Sequence, residues 1–228
     1  MGRKIHRVGG PDISEAKDCC VYLVNGSRPF LVDAGFGEGS DKVISNIEKV
    51  GVDPQSIDAV ILTHCHIDHI GGAGGLRDIL GARLYMHELD AAIVERGDSR
   101  LTAAFCFERE FVPLPIDVKI SGSHGPLSEI GEDIFFVHTP GHTPGSISPF
   151  LDSEGTRILF GQDLGAPLLS EFDTDPGAWY LSMEKLLDLK ADVLCDGHSG
   201  FYQPASRVEA YIRRFVRLYS RRSFGTTA

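Results

Sequence analysis

The protein has 228 residues, of which 42% are hydrophobic, and a formal net charge of −10. This length suits one large domain, predicted as residues 1–228, and the acidic balance disfavours a nucleic-acid partner. No apolar stretch approaches the roughly 20 residues of a membrane span, and no hydrophobic signal region follows the charged N-terminus, so a cytoplasmic location is expected. Five cysteines without a C-x-x-C pair are typical of reduced thiols.

The first half of the chain alternates predicted strands and helices. Two β-rich runs, 20–24 and 30–33, flank Asn25-Gly26 and predict a hairpin. Residues 40–50 predict a helix, because their apolar side chains fall on one face. The remaining elements of this half are a buried strand at 58–63, a short helix at 70–80, a strand at 83–86 and a helix at 88–95.

The second half opens with an irregular segment, 96–116, that mixes glycine and proline with phenylalanine. Such a stretch in a compact domain is typical of a binding loop or lid. Asp175-Pro176 predicts a helix start, and a C-terminal helix at about 204–222 shows apolar residues at helical spacing. The predicted strands of this half lie at 117–120, 133–138, 146–151, 157–162 and 193–195.

A faint internal repeat connects the two halves. In each half a hairpin ends at an aspartate, Asp33 or Asp163, and a later strand runs into a histidine, His64 or His198. Two such units packed face to face would bring distant strand ends together. The pattern therefore predicts an α/β sandwich of mixed sheets covered by helices, with its site at the strand ends.

Residues 64–69, with the sequence HCHIDH, hold three imidazoles and one carboxylate at the end of a predicted strand. These groups suit zinc and similar divalent metals. Four of them within six residues suggest more than one metal ion. Cys65 should point away from the metal side and pack, because side chains alternate along an extended segment.

Three further candidate ligands, His142, Asp163 and His198, each follow a predicted strand. Loops held by a rigid scaffold are where sites are commonly built. The other histidines are predicted to be surface or packed residues, with His138 a candidate support for the His142 loop; they are His6, His87, His124 and His138.

On these residues the chain resembles the metallo-β-lactamase-fold hydrolase superfamily, from about residue 18 to residue 198. The family's H-x-H-x-D-H signature is present between residues 64 and 69. The positions that match the family's metal-site residues are His64, His66, Asp68, His69, His142, Asp163 and His198, with Asp33 as the upstream aspartate.

The resemblance implies a four-layer αββα sandwich of two mixed β-sheets flanked by helices. It also implies two divalent metal ions, Zn²⁺ being expected and Fe or Mn the alternatives. The implied ligands are His64, His66 and His142 for one ion, Asp68, His69 and His198 for the other, and Asp163 as the bridge. A metal-bound hydroxide would attack the substrate, with Asp68 as the catalytic proton-transfer group. Asp33 would support the ligands from behind.

Within the superfamily, the loop at 139–146 is similar to that of glyoxalase II-like thioesterases and persulfide dioxygenases. Secreted antibiotic-hydrolysing members usually lack the bridging aspartate, and nucleic-acid-cleaving members usually carry a further domain or arm. Flavodiiron members replace a ligand histidine by glutamate, whereas His66 is intact. One helix after His198 disfavours glutathione thioesters, and Ala166 stands where many lactonases have tyrosine.

The sequence thus predicts a dinuclear-metal-dependent hydrolase of an ester, thioester or lactone. The expected partner is a small-molecule substrate, with no nucleic acid and no membrane; a homo-oligomer is compatible with the sequence. One alternative is a mononuclear iron persulfide dioxygenase, with iron held by His64, His142 and Asp163. Another is a metal-bound, non-catalytic binding or regulatory module. Substrate-binding residues are not assigned, and candidates for an apolar substrate wall are Phe105, Phe107, Phe111, Phe172 and Trp179.

Overall fold

A computed structural model describes residues 4–131 and 133–223. The strands are β1 (Lys4–Arg7), β2 (Tyr22–Asn25), β3 (Phe30–Val32), β4 (Ala59–Ile61), β5 (Arg83–His87), β6 (Val118–Ile120), β7 (His124–Pro126), β8 (Ile134–His138), β9 (Ile147–Ser153), β10 (Thr156–Gly161), β11 (Val193–Asp196) and β12 (Gly200–Tyr202). The helices are α1 (Ser40–Lys49), α2 (Ile67–Ile70), α3 (Ala73–Leu80), α4 (Glu88–Glu95), α5 (Pro176–Asp188) and α6 (Ala205–Ser223). Short 3₁₀ turns lie at Pro54–Ser56, Ala104–Phe107 and Ser170–Phe172.

The strands form two mixed sheets of six. The first has the order β1-β2-β3-β4-β5-β6, and the second has the order β12-β11-β10-β9-β8-β7. In the first sheet the β2–β3 hairpin is antiparallel, with Tyr22 opposite Val32, and β3 to β6 are parallel. This arrangement confirms the predicted sandwich of two mixed sheets flanked by helices.

The predicted internal repeat is present in the topology. The hairpin β2–β3 is followed by α1 and by β4, which is parallel to β3. In the same way the hairpin β9–β10 is followed by α5 and by β11, which is parallel to β10. In each unit two parallel strands therefore end at the same edge of the sheet, and the candidate site residues follow those strand ends.

Alternation along the strands builds three apolar layers. Tyr22, Val32 and Phe160 face the space between the sheets, whereas Leu31 and Leu159 face the helices. On the first sheet α1 and α3 cover the outer face, and on the second sheet α5 and α6 do so. Burial of these side chains, worth about 1.5–3 kcal/mol each, fixes the two sheets against each other and so fixes the strand ends.

The structure adds elements that periodicity did not predict. These are β1, β7 and β12, each of three or four residues, and α2, a separate short helix that precedes the predicted helix at 70–80, which is observed as α3. The C-terminal helix begins at Ala205 and ends at Ser223, close to the predicted bounds of 204–222. None of the helices in the described part of the chain is long and apolar enough to cross a bilayer.

Candidate metal centre

The candidate ligands all lie just beyond strand ends. His64 follows β4, and His66 adopts an extended conformation directly before α2, so the chain turns sharply through the cluster. His142 follows β8, Asp163 follows β10 and His198 follows β11. The sequence separation is large, but the sandwich brings these loops to one edge.

The first group consists of His64, His66, His142 and Asp163, whose ligand atoms all lie within 4.8 Å of one another. All four side chains are buried, none being more than 8% exposed. Burial lowers the pKa of His64 and of His66 well below the ordinary value for histidine. The two rings are therefore neutral at pH 7, which is the form that binds a metal.

The second group consists of Asp68, His69 and His198, also with ligand atoms within 4.8 Å of one another. The Asp68 Oδ2 atom lies 3.5 Å from Nε2 of His69 and 3.5 Å from Nε2 of His198. Ligands at about 2.1 Å from a tetrahedral zinc ion are spaced by about 3.4 Å, so these separations match such an ion.

Asp163 lies between the two groups and offers one carboxylate oxygen to each. Its Oδ2 atom is 3.3 Å from Nε2 of His142 and 3.9 Å from Nε2 of His64. Its Oδ1 atom is 3.1 Å from Nε2 of His69 and 2.9 Å from Nε2 of His198. Burial alone would raise the pKa of Asp163, but the surrounding imidazoles outweigh it and hold that pKa well below its ordinary value.

Several buried polar atoms of this centre have no hydrogen-bond partner among the described residues. Among the described residues no partner with hydrogen-bond geometry exists for Nε2 of His64, His66 and His69, for either nitrogen of His142, or for Oδ1 of Asp163. Buried polar atoms are normally satisfied, so a cluster of orphaned nitrogens needs a ligand. Imidazole and carboxylate donors aimed at one space fit a divalent cation.

Asp33 stands behind the second group. Its side chain is fully buried and accepts hydrogen bonds from Thr63 N at 2.8 Å and from His69 Nδ1 at 2.8 Å. Cys19, Asp33 and His69 also cluster within 4.8 Å, but there the His69 atom that faces Asp33 is Nδ1, already hydrogen-bonded. Asp33 therefore fixes the ring so that Nε2 points toward Asp163.

Asp90 supports the two segments that carry the candidate ligands, a role that the sequence did not predict. It is fully buried on α4 and accepts hydrogen bonds from Cys65 N at 2.9 Å, Thr143 Oγ1 at 2.6 Å and Gly145 N at 2.6 Å. One carboxylate thus ties the 64–69 segment to the loop that carries His142. The sequence signal was a single acidic residue on the apolar face of a short helix.

We expect Asp90→Ala to leave two buried backbone N–H groups unsatisfied and to destabilise the protein by about 3 kcal/mol. For a chain of this size that loss lowers the melting temperature by roughly 6–12 °C. The exposed Glu88, two positions earlier at the start of the same helix, supplies the control Glu88→Ala, expected to change stability by less than about 1 kcal/mol. Thermal unfolding of both variants checks this, and equal melting temperatures would refute it.

Gln162 is a second missed residue. It is 8% exposed, and neither polar atom of its side chain has a hydrogen-bond partner among the described residues. Its Oε1 atom and Oδ1 of Asp163 both crowd Gly197, where a Cβ would collide with them. Gln162 directly follows β10, in which Ile158 and Phe160 face inward. A polar residue that continues this alternation by one step was the available signal in the sequence.

The aromatic candidates for a substrate wall separate into two sets. The Phe172 ring lies 5.3 Å from the ring of His66, and Phe105 lies 6.0 Å from Phe172. Phe107 packs on Phe36 instead, while Phe111 and Trp179 belong to the two helix-facing cores. Only the first pair adjoins the metal centre through these ring contacts.

The remaining histidines lie outside the groups above. His87 caps α4, accepting from Leu89 N, and stacks on His138 at 4.1 Å. His138 donates to the carbonyl oxygen of Pro144 at 2.8 Å and so contacts the loop that carries His142. Cys65 is buried in the first helix-facing core, as its alternation predicted.

Comparison with known proteins agrees with this geometry. The family model of the metallo-beta-lactamase superfamily matches residues 18–198. The chain therefore belongs to the metallo-beta-lactamase superfamily, a class of metal-dependent hydrolases.

Two relatives and one solved structure illustrate the membership. The beta-lactamase-like protein 2 homolog of Drosophila melanogaster is 29% identical over 195 residues, which cover 84% of this chain but only 62% of that protein. A probable metallo-hydrolase of Methanocaldococcus jannaschii is 28% identical over 156 residues, covering 68% of this chain and 72% of that protein. A metallo-beta-lactamase of Cronobacter sakazakii shares the fold, with a TM-score of 0.76 at 19% identity over 96% of this chain and 91% of the other.

Proposed function

We propose that the protein is a dinuclear-metal-dependent hydrolase that cleaves an ester, thioester or lactone of a small molecule. The observation that carries this proposal is Asp163, whose two carboxylate oxygens face two separate groups of ligand atoms. A single ion would need only one of these groups. Two groups that share one buried carboxylate suit a pair of ions with a common bridge.

The donor set supports zinc, with iron or manganese as the alternatives. Imidazole nitrogen and carboxylate oxygen are the donors of known zinc sites with hydrolytic activity. Two bound divalent cations would supply an acidified water molecule as nucleophile and would polarise the carbonyl group under attack. The proposed ligands are His64, His66 and His142 on one side, Asp68, His69 and His198 on the other, and Asp163 between them.

Asp68 is the proposed catalytic proton-transfer residue. Its side chain is about one-fifth exposed, whereas the side chain of its neighbour His69 is fully buried, so Asp68 is the more accessible of the two. Burial raises the pKa of Asp68 above its ordinary value, which makes its carboxylate a stronger proton acceptor than an exposed aspartate. In the proposed reaction Asp68 takes a proton from the attacking water and delivers it to the departing oxygen or sulfur.

Metal analysis and a substrate panel test this function. Protein purified without added metal is expected to hold about two divalent ions per chain and to hydrolyse at least one of the aryl esters, acyl thioesters and lactones in the panel, but not the phosphodiesters. Chelation should abolish turnover, and metal should restore it. The exposed His124 is outside the centre, so His124→Ala should leave the metal content unchanged.

Other results would assign other functions. One iron per chain, with oxygen uptake on glutathione persulfide, would replace the proposal by the persulfide dioxygenase. Two ions without hydrolysis of any substrate would favour a non-catalytic binding module. Loss of metal in the His124→Ala control would show that the ions are held elsewhere.

A further inference from the structure

Two short 3₁₀ turns carry phenyl rings to the entrance of the metal centre. Phe105 lies on the turn Ala104–Phe107 and Phe172 on the turn Ser170–Phe172, and their ring centroids are 6.0 Å apart. The Phe172 ring also lies 5.3 Å from the ring of His66. Phe105 is 48% exposed, although phenylalanine side chains are usually buried.

Hydrogen bonds link the second turn to the segment that leads into the first turn. Arg100 donates from both terminal nitrogens to the two carboxylate oxygens of Asp173, each at 3.0 Å, and from one of them to Glu171 O at 2.6 Å. The residues just before the first turn are also fixed to the metal-binding segment, because Ile67 N donates to Thr102 O at 2.8 Å. The exposed Phe105 ring and the partly buried Phe172 ring are therefore preorganised, which lowers the entropic cost of binding a ligand against them.

The chemistry of this surface defines its occupant. Phenyl rings offer apolar contact area, which a charged or strongly hydrated group cannot use. The net charge of −10 further disfavours an anionic group against the rings. A neutral hydrocarbon group attached to a carbonyl at the metal centre would lie against Phe172 first and Phe105 second.

We infer, resting on the function proposed above, that Phe105 and Phe172 form the subsite for an apolar acyl group of the substrate. The substrate class is then esters, thioesters or lactones with a neutral hydrophobic acyl part. Straight-chain carboxylates, the products of such substrates, should bind with the charged group at the metal centre and the hydrocarbon chain on this surface, and their affinity should rise with chain length.

Two readouts test this subsite. With p-nitrophenyl esters of C2 to C10 acids, kcat/KM should rise roughly fourfold per methylene until the rings are covered. Independently of turnover, the same carboxylates should slow alkylation of Cys106, the exposed thiol next to Phe105, while the other four thiols are buried. The Phe172→Ala and Phe105→Ala variants should lose most of both chain-length effects, and Phe172→Leu should keep most of them.

Val112, which is 77% exposed in the same loop segment, supplies the control Val112→Ala, expected to leave both chain-length effects unchanged. If kcat/KM of the unaltered protein does not change with acyl chain length, the subsite is overturned even though hydrolysis itself remains. The same holds if Phe172→Ala keeps a steep increase of kcat/KM with chain length. If no ester, thioester or lactone is hydrolysed, the proposed function fails, and protection of Cys106 by long but not short carboxylates would still support the subsite. Absence of that protection would overturn it.

Discussion

Asp163→Asn is expected to lower kcat/KM at least about 10³-fold, which corresponds to about 4 kcal/mol of lost transition-state stabilisation. The physical reason is that one buried carboxylate faces both ligand groups with its two oxygens. An amide keeps one acceptor oxygen but turns an NH₂ group toward an imidazole nitrogen. It also removes the negative charge that would lie between two cations, so the metal content should fall from about two ions to one or fewer.

Asparagine is the appropriate substitution because of the backbone. Asp163 has a φ of 53°, in the left-handed region, which asparagine tolerates better than alanine does. The measurements are steady-state kinetics on a cleaved substrate, metal analysis and circular dichroism to verify the fold. Asp152→Asn, at an exposed ion pair near the opposite end of β10, should change none of these. Unchanged metal content and turnover in Asp163→Asn would show that Asp163 does not bridge two metal ions.

Strong local patterns predicted most of the fold. The Asn25-Gly26 dipeptide correctly predicted the β2–β3 hairpin. The helix predicted at 88–95 is observed with the same bounds. The strands that were missed carry little periodicity. β7 contains Gly125 and Pro126, and β12 is three residues long, so both are defined by pairing with a neighbouring strand rather than by their own sequence.

The candidate site was predictable to the extent that its residues follow strands. His64, Asp163 and His198 come together because parallel strands end at one edge of each sheet. The supporting contacts were not predictable in this way. Asp90 joins Cys65 to a loop more than 50 residues away, and the choice of Phe172 over Trp179 as a neighbour of the metal centre depends on which face of each element packs inward.

Asp33→Asn is expected to weaken metal binding by the second ligand group while leaving the fold largely intact. The Asp33 carboxylate is an obligatory acceptor, so the His69 Nδ1 atom must carry the proton and Nε2 is free to bind metal. An asparagine NH₂ group facing Nδ1 would favour the opposite tautomer, with the proton on Nε2. Metal affinity at this group should then fall by 10- to 100-fold or more. The left-handed backbone at Asp33, with a φ of 62°, again suits asparagine.

Asp33→Ala should have the additional effect of destabilising the protein, because the buried N–H of Thr63 and the His69 ring would lose their acceptor, at a cost of about 3 kcal/mol or more. Nitrogen-detected NMR of the metal-free protein separates the two effects by reporting the tautomer of His69 directly. Burial opposes protonation of this ring, but Cys19 and the acidic side chains around it raise the pKa of His69 well above its ordinary value, so the spectra require alkaline pH. A proton on Nδ1 in both the unaltered protein and Asp33→Asn, with equal metal affinity, would show that Asp33 does not orient His69.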